Sequence, residues 1–452
     1  MQSERFSYTD FTIADDQQTV EFRYTLAHAG MEHHLTETLT FPAPLLDTPE
    51  QQRSLRALHL ALGISYYKTF LSPIISHPYA MNEVEAAFWN SVWRGGLGEF
   101  LYVNKLKADI LAQFVPQDGQ TFDGQSPGSH TGAILGIGGG KDSIVAGELL
   151  KKLQLPIAGF VMATGEQLGQ AGDVARTMEI PLHAVSRSLD KQLLDLQEQP
   201  GAYKGHIPIS LIFGLVGTAL AVAAGHAYVV VANEASASIP RIQWGDQAVN
   251  HQWSKSFAFE QSLQRYIHEH ITSGVTYFSA IRSLSSIGVA KLFARLPQYF
   301  EVFTSDNFVF RIDPARRPSG RWSLESPKSL SSYILLAPWL TDAEVTRIFT
   351  IDFLDEPSLR QLFLELTGIE GEPPLDCVGT VEELVLSMNL LAQAGRYRGA
   401  TLMGLARERG IIQENIDWDT RAAELLALSP DQALPEGMKE AITLHLQEQL
   451  AS

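Results

Sequence analysis

Residues 133–150 read AILGIGGGKDSIVAGELL: an apolar run, then a glycine-rich turn, then a helix-like repeat. Ala133-Ile134-Leu135 predicts a buried strand, and residues 144–150 predict an amphipathic helix. Glycines in the turn let backbone N–H groups approach a ligand closely, and the helix N-terminus adds partial positive charge. A strand, a glycine turn and a helix N-terminus in this order form an anion site, for which phosphate is the natural ligand.

The alternation of strands and helices continues outward from this turn. Further strands are predicted at 157–162, 182–185 and 228–232, each preceded by a helix. The helix predicted within 207–225 is uncharged, but the strand that follows it favours burial against a sheet over a membrane span. The alternation predicts a doubly wound parallel sheet, with Thr164-Gly165 and Asn233-Glu234 on the same rim as the glycine turn.

The chain has 452 residues, which is long for one core, and it is predicted to divide into three parts. Residues 1–125 form an N-terminal α+β part that contains a β-hairpin, predicted from two alternating runs. Residues 126–340 form the α/β domain around the glycine turn, and residues 341–452 read as helical. The predicted class is α/β with an N-terminal α+β region and a helical C-terminal region.

Composition excludes several classes of function. The formal net charge is −17, which argues against a nucleic-acid surface because phosphate backbones select for basic proteins. The N-terminus lacks the basic and apolar regions of a signal peptide, so we expect a cytoplasmic protein without stable membrane insertion. Cys377 is the one cysteine, so neither an intramolecular disulfide nor a cysteine-rich zinc site is expected.

Three phosphate-binding patterns compete for the turn. The P-loop fails because Leu135 stands at its first glycine and Asp142 follows Lys141 where Ser or Thr is required. The dinucleotide pattern Gly-x-Gly-x-x-Gly fails because Lys141 takes the place of the last glycine. The pattern Ser-Gly-Gly-x-Asp-Ser is matched by residues 139–143, with Gly138 in place of the first serine. The turn therefore resembles the pyrophosphate loop of the N-type ATP pyrophosphatases, which are adenine nucleotide α-hydrolase-like proteins.

This resemblance implies cleavage of ATP between its α- and β-phosphates, with Mg²⁺ as the metal. The candidate ligands of the nucleotide are residues of the turn and of the next strand end: Gly138, Gly139, Gly140, Lys141, Asp142, Ser143, Thr164 and Gly165. Lys141 can balance the phosphate charge, and Asp142 can cap the helix or bind Mg²⁺. For Thr164 and Gly165, a plain strand-to-helix turn is an equal explanation.

More of the chain is similar to one family. The segments that carry this resemblance are GISYYK (63–68), GLGEF (96–100), NEASA (233–237), NHQWSKSF (250–257) and CVGTVEE (377–383). Together they resemble the UDP-N-acetylmuramoyl-L-alanyl-L-glutamate epimerase family of bacterial peptidoglycan synthesis, over about residues 55–410. Residues 321–329 depart from the expected pattern, because serines stand where cysteines are expected, so no metal role is assigned to them.

The family resemblance implies a reaction and a small-molecule substrate. ATP adenylates the α-carboxylate of the terminal L-glutamate of UDP-MurNAc-L-Ala-L-Glu. The adenylate makes the α-proton far easier to remove than a free carboxylate does. Reprotonation on the other face and hydrolysis then give D-glutamate, AMP and pyrophosphate. A racemase that uses two thiolates is excluded because Cys377 is the one cysteine.

Candidate residues follow the fourth strand and lie in two later segments. Glu234 is a candidate ligand of Mg²⁺ together with Asp142, or else a base. Asn233, Arg241 and Lys255 are candidates for binding the substrate, although most Lys and Arg side chains are solvated surface groups.

Two further residues are candidates for catalysis. His251 can move the α-proton because histidine titrates near neutral pH, with a structural histidine as the alternative. Cys377 is either a catalytic thiol or a small buried hydrophobic residue.

Two other classes of function stay open from the sequence. One is a different adenylating enzyme of the same superfamily, such as an amide ligase or a tRNA-modifying enzyme. The other is a nucleotide-binding protein without turnover.

Overall fold

The structure is a computed structural model that describes residues 3–119, 130–163, 168–245, 247–310 and 317–451. Its strands are β1 (Arg5–Ile13), β2 (Thr19–His28), β3 (Met31–Thr40), β4 (Ile75–Ser76), β5 (Ala133–Gly136), β6 (Ile157–Ala163), β7 (Leu182–Ser188), β8 (Tyr228–Val231), β9 (Ile242–Trp244), β10 (Gln247–Val249) and β11 (Thr276–Ser279).

The helices of the first two thirds of the chain are α1 (Pro49–Leu62), α2 (Ile64–Tyr67), α3 (Glu83–Gly96), α4 (Gly98–Val103), α5 (Lys141–Lys152), α6 (Gly169–Met178), α7 (Lys191–Gln197), α8 (Ile209–Ala224), α9 (Phe257–Tyr266) and α10 (Ser286–Phe293). Those that follow are α11 (Pro327–Leu336), α12 (Asp342–Ile348), α13 (Arg360–Leu366), α14 (Val381–Gln393), α15 (Thr401–Glu408), α16 (Trp418–Leu426) and α17 (Glu436–Ala451).

The centre of the molecule is a mostly parallel sheet. Strands β5, β6, β7, β8 and β11 pair in the order β11-β8-β5-β6-β7, and all these pairings are parallel. Helices cover both faces: Ala133 and Leu135 of β5 face one apolar core, and Ile134 between them faces the other. The prediction of an α/β chain with a parallel sheet and a helical C-terminal region is confirmed. The pyrophosphatase-type fold itself stays a prediction.

Strand β11 was missing from the sequence prediction, which ended at the fourth parallel strand. It has four residues, as β5 and β8 do, but its sequence TYFS has hydroxyl residues at both ends and no Val, Ile or Leu. Without an aliphatic run, it did not stand out from the mixed pattern after residue 240. The region after residue 240 therefore contributes the last strand of the sheet.

The N-terminal strands extend the same sheet. The predicted hairpin is confirmed as β2–β3, and β1 pairs along the outer edge of β2. Strand β3 joins the parallel strands through a short antiparallel contact with β7, from Thr38 opposite Ser188 to Thr40 opposite Ser186. The sheet is thus continuous from residue 5 to residue 279, while the three-part division of the chain stays a prediction.

The uncharged helix predicted within residues 207–225 is α8. It packs against α1 and against β5, β6 and β8, and most of its side chains are buried. Within the described residues, no helix combines the length and the apolar character needed to cross a bilayer.

A buried ion pair stabilises the short junction between β3 and β7. The Arg187 Nε atom donates to Glu37 Oε1 at 2.5 Å, and its guanidinium also donates to Ser65. Glu37 is fully buried on the core-facing side of β3. Removing one member of such a pair leaves the other charge buried without its partner, which is strongly destabilising.

We therefore expect Glu37→Ala to lower the free energy of unfolding by about 3–5 kcal/mol, measured by urea denaturation. Glu32→Ala is the matched control, because Glu32 is exposed on the same strand and pairs with Arg5 at 3.3 Å. An exposed pair contributes about 0–1 kcal/mol, so the control stays near the wild type. Equal losses in the two variants would show that the Glu37–Arg187 pair does not stabilise the junction.

Candidate functional site

The strand order reverses at the glycine turn. Strand β5 leads through α5 to β6 on one side, whereas its other neighbour, β8, comes later in the chain. Such a switch point opens a crevice at the carboxyl ends of the two strands, where ligands of these folds bind. The crevice is lined by Lys141 and Asp142 after β5, by Asn233 and Glu234 after β8, and by Cys377.

The glycine turn has the backbone of an anion-binding loop. Gly139 has φ +88°, and a Cβ atom on it would lie 2.9 Å from the Gln170 Cβ, so a larger residue is strained there. Helix α5 begins at Lys141 with Gly140 as its N-cap, and the N–H groups of its first turn have no acceptor within the helix. The Ser143 hydroxyl donates to the Gly140 carbonyl at 3.1 Å.

The segment that faces this turn offers an unused polar atom. The Thr304 N–H donates to the Gly139 carbonyl at 3.1 Å, which fixes residues 304–306 over the turn. The Ser305 hydroxyl is buried there, and no described residue hydrogen-bonds to it. A Cβ atom on Gly140 would lie 3.6 Å from this hydroxyl. The turn, the free hydroxyl and Lys141 fit a phosphate group.

Residues 321–329 support the same segment. The Ser323 and Ser329 hydroxyls donate to Asp306 Oδ2 at 2.7 and 3.0 Å. The serines of this segment therefore hold Asp306 in place behind the turn.

Lys141 and Asp142 form an ion pair across the mouth of the turn, with Nζ 2.6 Å from Oδ1. Burial lowers the pKa of Lys141, but the Asp142, Glu234 and Glu383 charges outweigh it and raise the pKa above its usual value. Burial raises the pKa of Asp142, and Lys141 more than offsets this. Both side chains are charged at neutral pH, as binding of a metal phosphate requires.

Glu234 is the carboxylate with the most perturbed titration in the crevice. Burial, Glu383 and Asp142 raise its pKa to about 7, against the opposing effect of Lys141. Its carboxylate caps the 3-10 turn Ala235–Ser238 by accepting from the Ser236 N–H. Asp142 and Glu234 thus line one crevice. Their binding of Mg²⁺ stays a prediction.

Glu383 is a second carboxylate near Glu234 that sequence reasoning did not single out. It is buried, and it accepts from the Ser236 hydroxyl at 3.1 Å and from the Thr380 N–H at 2.6 Å. Thr380 and Glu383 form the capping box of α14. The pattern Thr-x-x-Glu was a signal for the cap, but the contact with Ser236 is not visible in the sequence.

The Cys377 thiol lies among cations. Lys255 Nζ is 3.5 Å from its Sγ atom, and His251 and Lys328 are also close. Burial raises the pKa of this thiol, but Lys255 and His251 oppose it and bring the pKa down to about 7. A thiol with this pKa is substantially ionised at neutral pH, which is the condition for a reactive cysteine.

His251 completes the charged group beside Cys377. Its Nδ1 atom hydrogen-bonds to the Glu99 carboxylate, which fixes the ring. Burial lowers the pKa of His251, but hydrogen bonds with Cys377 and Glu99 raise it to about 9. Cys377 and His251 therefore form a thiolate–imidazolium pair near neutral pH.

Glu99 was missed as a functional residue, although its segment GLGEF carried part of the family resemblance. Its side-chain oxygen, one nitrogen of His206 and one of His251 all lie within 4.8 Å of one another. One side-chain atom from each of His251, Asp376 and Cys377 also lies within 4.8 Å of the other two. Within the described residues, these two groups are the sets of side chains close enough together to bind one metal ion.

A buried arginine ties the two sides of the crevice together. Arg282 donates to the Glu234 carbonyl at 2.8 Å and to the Lys255 carbonyl at 2.6 Å. Glu260 neutralises the guanidinium at 2.8 Å from its Nε atom. Arg282 is 1% exposed and was not a candidate from the sequence, because nothing in its neighbourhood distinguishes it from a surface arginine.

The structure brings most of the predicted residues together. Lys141, Asp142, Asn233, Glu234, Lys255 and Cys377 line the crevice, and Gly138, Gly139, Gly140 and Ser143 form the turn beside it. Burial lowers the pKa of Arg241, and the charges of Cys377 and Glu383 partly oppose this shift. Thr164 and Gly165 lie outside the described residues.

Comparison with known proteins identifies the family. Residues 1–280 match the model of the MurL N-terminal domain, and residues 302–418 match that of the MurL C-terminal domain. The chain belongs to the MurL family. This membership confirms the family resemblance, and the names of three curated relatives confirm the prediction of an isomerase. No solved structure matches the chain.

Three curated relatives carry the name UDP-N-acetyl-alpha-D-muramoyl-L-alanyl-L-glutamate epimerase. The protein of Salinispora tropica is 32% identical over 88% of this chain and 87% of its own length. That of Micromonospora sp. is 33% identical, covering 88% and 89% of the two chains, respectively. That of Xanthomonas oryzae pv. oryzae is 31% identical over 90% of each.

Because Cys377 is the one cysteine of the chain, its ionisation can be measured directly. We expect the rate of its alkylation by iodoacetamide to rise with pH around a midpoint near 7. Lys255→Gln removes the cation that lowers the thiol pKa most, so the midpoint moves up, toward the ordinary thiol value of about 8.5.

Lys439→Gln serves as the control, since Lys439 is exposed on α17, outside the site. Its alkylation midpoint stays at the wild-type value. A midpoint that is the same in the wild type and in Lys255→Gln would contradict the electrostatic account of the thiol.

Proposed function

We propose that this protein converts the terminal L-glutamate of UDP-MurNAc-L-Ala-L-Glu to D-glutamate, using ATP and Mg²⁺, in peptidoglycan precursor synthesis. The observation that carries the proposal is the meeting of an anion-binding glycine turn and an ionised thiol in one crevice. The substrate is taken from the names of the three curated relatives. Since ATP is required, the reaction is assigned to the cytoplasm.

The reaction needs one set of groups to activate the carboxylate and another to move the proton. The reason is that glutamate resists loss of its α-proton while the adjacent carboxylate is ionised. One carboxylate oxygen attacks the α-phosphorus of ATP, and pyrophosphate leaves. The resulting acyl-adenylate has no negative charge on the carboxyl group, so the enolate formed by proton loss is more accessible. After reprotonation on the other face, water attacks the carbonyl carbon and releases AMP.

The glycine turn binds the leaving pyrophosphate. The N–H groups at the start of α5, the Ser305 hydroxyl and the Lys141 ammonium surround this position. Asp142 and Glu234 would hold Mg²⁺, which neutralises phosphate charge when bound. The free volume between the side chains is about 40 Å³, so the crevice has to widen when ATP binds.

The thiolate of Cys377 removes the α-proton. Lys255 and His251 keep the thiol ionised, and Glu99 holds the His251 ring. Atoms of Cys377 and His251 lie within 4.8 Å of each other, which leaves no room for a carbon atom between them. The two therefore act from one side of the glutamate, and the proton for the other face comes from a different group.

The test is incubation with ATP, Mg²⁺ and UDP-MurNAc-L-Ala-L-Glu in D₂O. We expect AMP, pyrophosphate and D-glutamate with deuterium at the α-carbon, detected by mass spectrometry and NMR. Cys377→Ser should still form pyrophosphate but lose deuterium incorporation. Lys141→Ala should lose both, because phosphate binding comes first.

Lys152→Ala is the control, because Lys152 lies exposed at the far end of the same helix, α5. It should keep both activities. AMP formation without α-exchange in the wild type would indicate a ligase or another adenylating enzyme. Exchange that needs no nucleotide would contradict the role given to the glycine turn.

A further inference from the structure

A second, larger cleft lies beside the crevice. Its volume is about 920 Å³, whereas the free space in the crevice is about 40 Å³. Pockets that hold small ligands usually measure about 300–1,000 Å³. Among the side chains that line this cleft are Arg94, Lys107, Asp109, Gln113, Trp244 and Gln247.

One hairpin connects the cleft to the crevice. Strands β9 and β10 form this hairpin, and Trp244, Gly245 and Gln247 near its tip line the cleft. Arg241 precedes β9 and lies within the electrostatic reach of Cys377. His251 lies two residues after β10 and hydrogen-bonds to the Glu99 carboxylate. The cleft and the crevice are therefore at opposite ends of one small element.

Helix α3 fixes the other wall of the cleft to the same catalytic segment. Arg94 of α3 precedes Gly95, which packs so closely on the Trp253 ring that a Cβ atom there would overlap it at 2.0 Å. Trp253 lies between His251 and Lys255 in the chain. The position of Arg94 is thus tied to that of the thiol and imidazolium groups.

The chemistry of the cleft suits a nucleoside diphosphate. Arg94 and Lys107 are exposed, and no described carboxylate forms an ion pair with either, in a chain of net charge −17. The half-buried Trp244 ring meets Tyr102 edge to face, with centroids 5.8 Å apart, which leaves it a rigid surface for stacking. Asp109 can accept from ribose hydroxyls, and the Gln113 and Gln247 amides can pair with a uracil edge.

We propose that this cleft binds the uridine diphosphate end of the substrate while the glutamate lies beside Cys377. The proposal rests on the proposed function for the identity of the substrate. Arg94 and Lys107 hold the two phosphates, and Trp244 stacks on the base. The crevice alone cannot hold so large a substrate.

The substrate is long compared with the stretch of chain that leads from the crevice to the cleft. Three residues of extended chain separate Arg241 from Trp244, which is about 10 Å. In the substrate, two amide links of about 3.8 Å each separate the glutamate α-carbon from the lactyl group of the muramoyl sugar. The sugar ring then connects to the diphosphate, so an extended substrate is long enough to cover the stretch from Arg241 to Trp244.

Free UDP is the probe for the cleft, because its binding by isothermal titration calorimetry needs no turnover. We expect Arg94→Ala and Lys107→Ala each to weaken UDP binding about tenfold, which corresponds to about 1.4 kcal/mol. In the epimerase assay, each should raise KM for UDP-MurNAc-L-Ala-L-Glu by a similar factor. The values of kcat and of KM for ATP should stay near those of the wild type.

The matched control is Lys439→Ala, which removes an exposed cation far from both sites and should change neither measurement. Equal UDP binding in the wild type and in Arg94→Ala/Lys107→Ala, or no UDP binding by the wild type, would overturn the proposal even if epimerisation is observed. UDP binding that these variants weaken supports it even if the protein proves to have another reaction.

Discussion

The buried guanidinium of Arg282 is the contact on which the arrangement of the site depends. It lies just after the last strand of the parallel sheet and donates to backbone carbonyls on both sides of the crevice, at Glu234 and at Lys255. Glu260 makes the burial of this charge possible, and it also accepts from the Ser279 N–H of β11. The strand that completes the sheet therefore also holds Glu234 and Lys255 in position relative to each other.

The charges of the crevice balance one another in two groups. Around the turn, Lys141 pairs with Asp142, and its charge also opposes the rise in the pKa of Glu234. Around the thiol, Lys255 and His251 face Cys377, and Glu99 faces His251. The first group suits a metal phosphate, and the second suits removal of a proton from carbon. A reaction that activates a carboxylate before it breaks an adjacent C–H bond needs both.

The sequence was most informative where structure is local. The strand, the turn and the helix at residues 133–150 follow from apolar spacing and from glycine, and the rim position of Asn233-Glu234 follows from the topology of parallel sheets. The pairs Glu99–His251 and Lys255–Cys377 join residues 152 and 122 positions apart, which no periodicity encodes. Strand β11 has no aliphatic run by which to recognise it, and the contact between β3 and β7 spans only three residues of each strand.

In the proposed reaction, the glycine turn and the Cys377 thiol act one after the other on the same glutamate, through an acyl-adenylate. The most direct measurement uses UDP-MurNAc-L-Ala-L-Glu labelled with ¹⁸O in the glutamate α-carboxylate, with ATP and Mg²⁺. Mass spectrometry of the AMP should then show one ¹⁸O atom per molecule, because the attacking carboxylate oxygen stays on phosphorus. AMP without label, or formation of ADP and phosphate instead, would contradict the account.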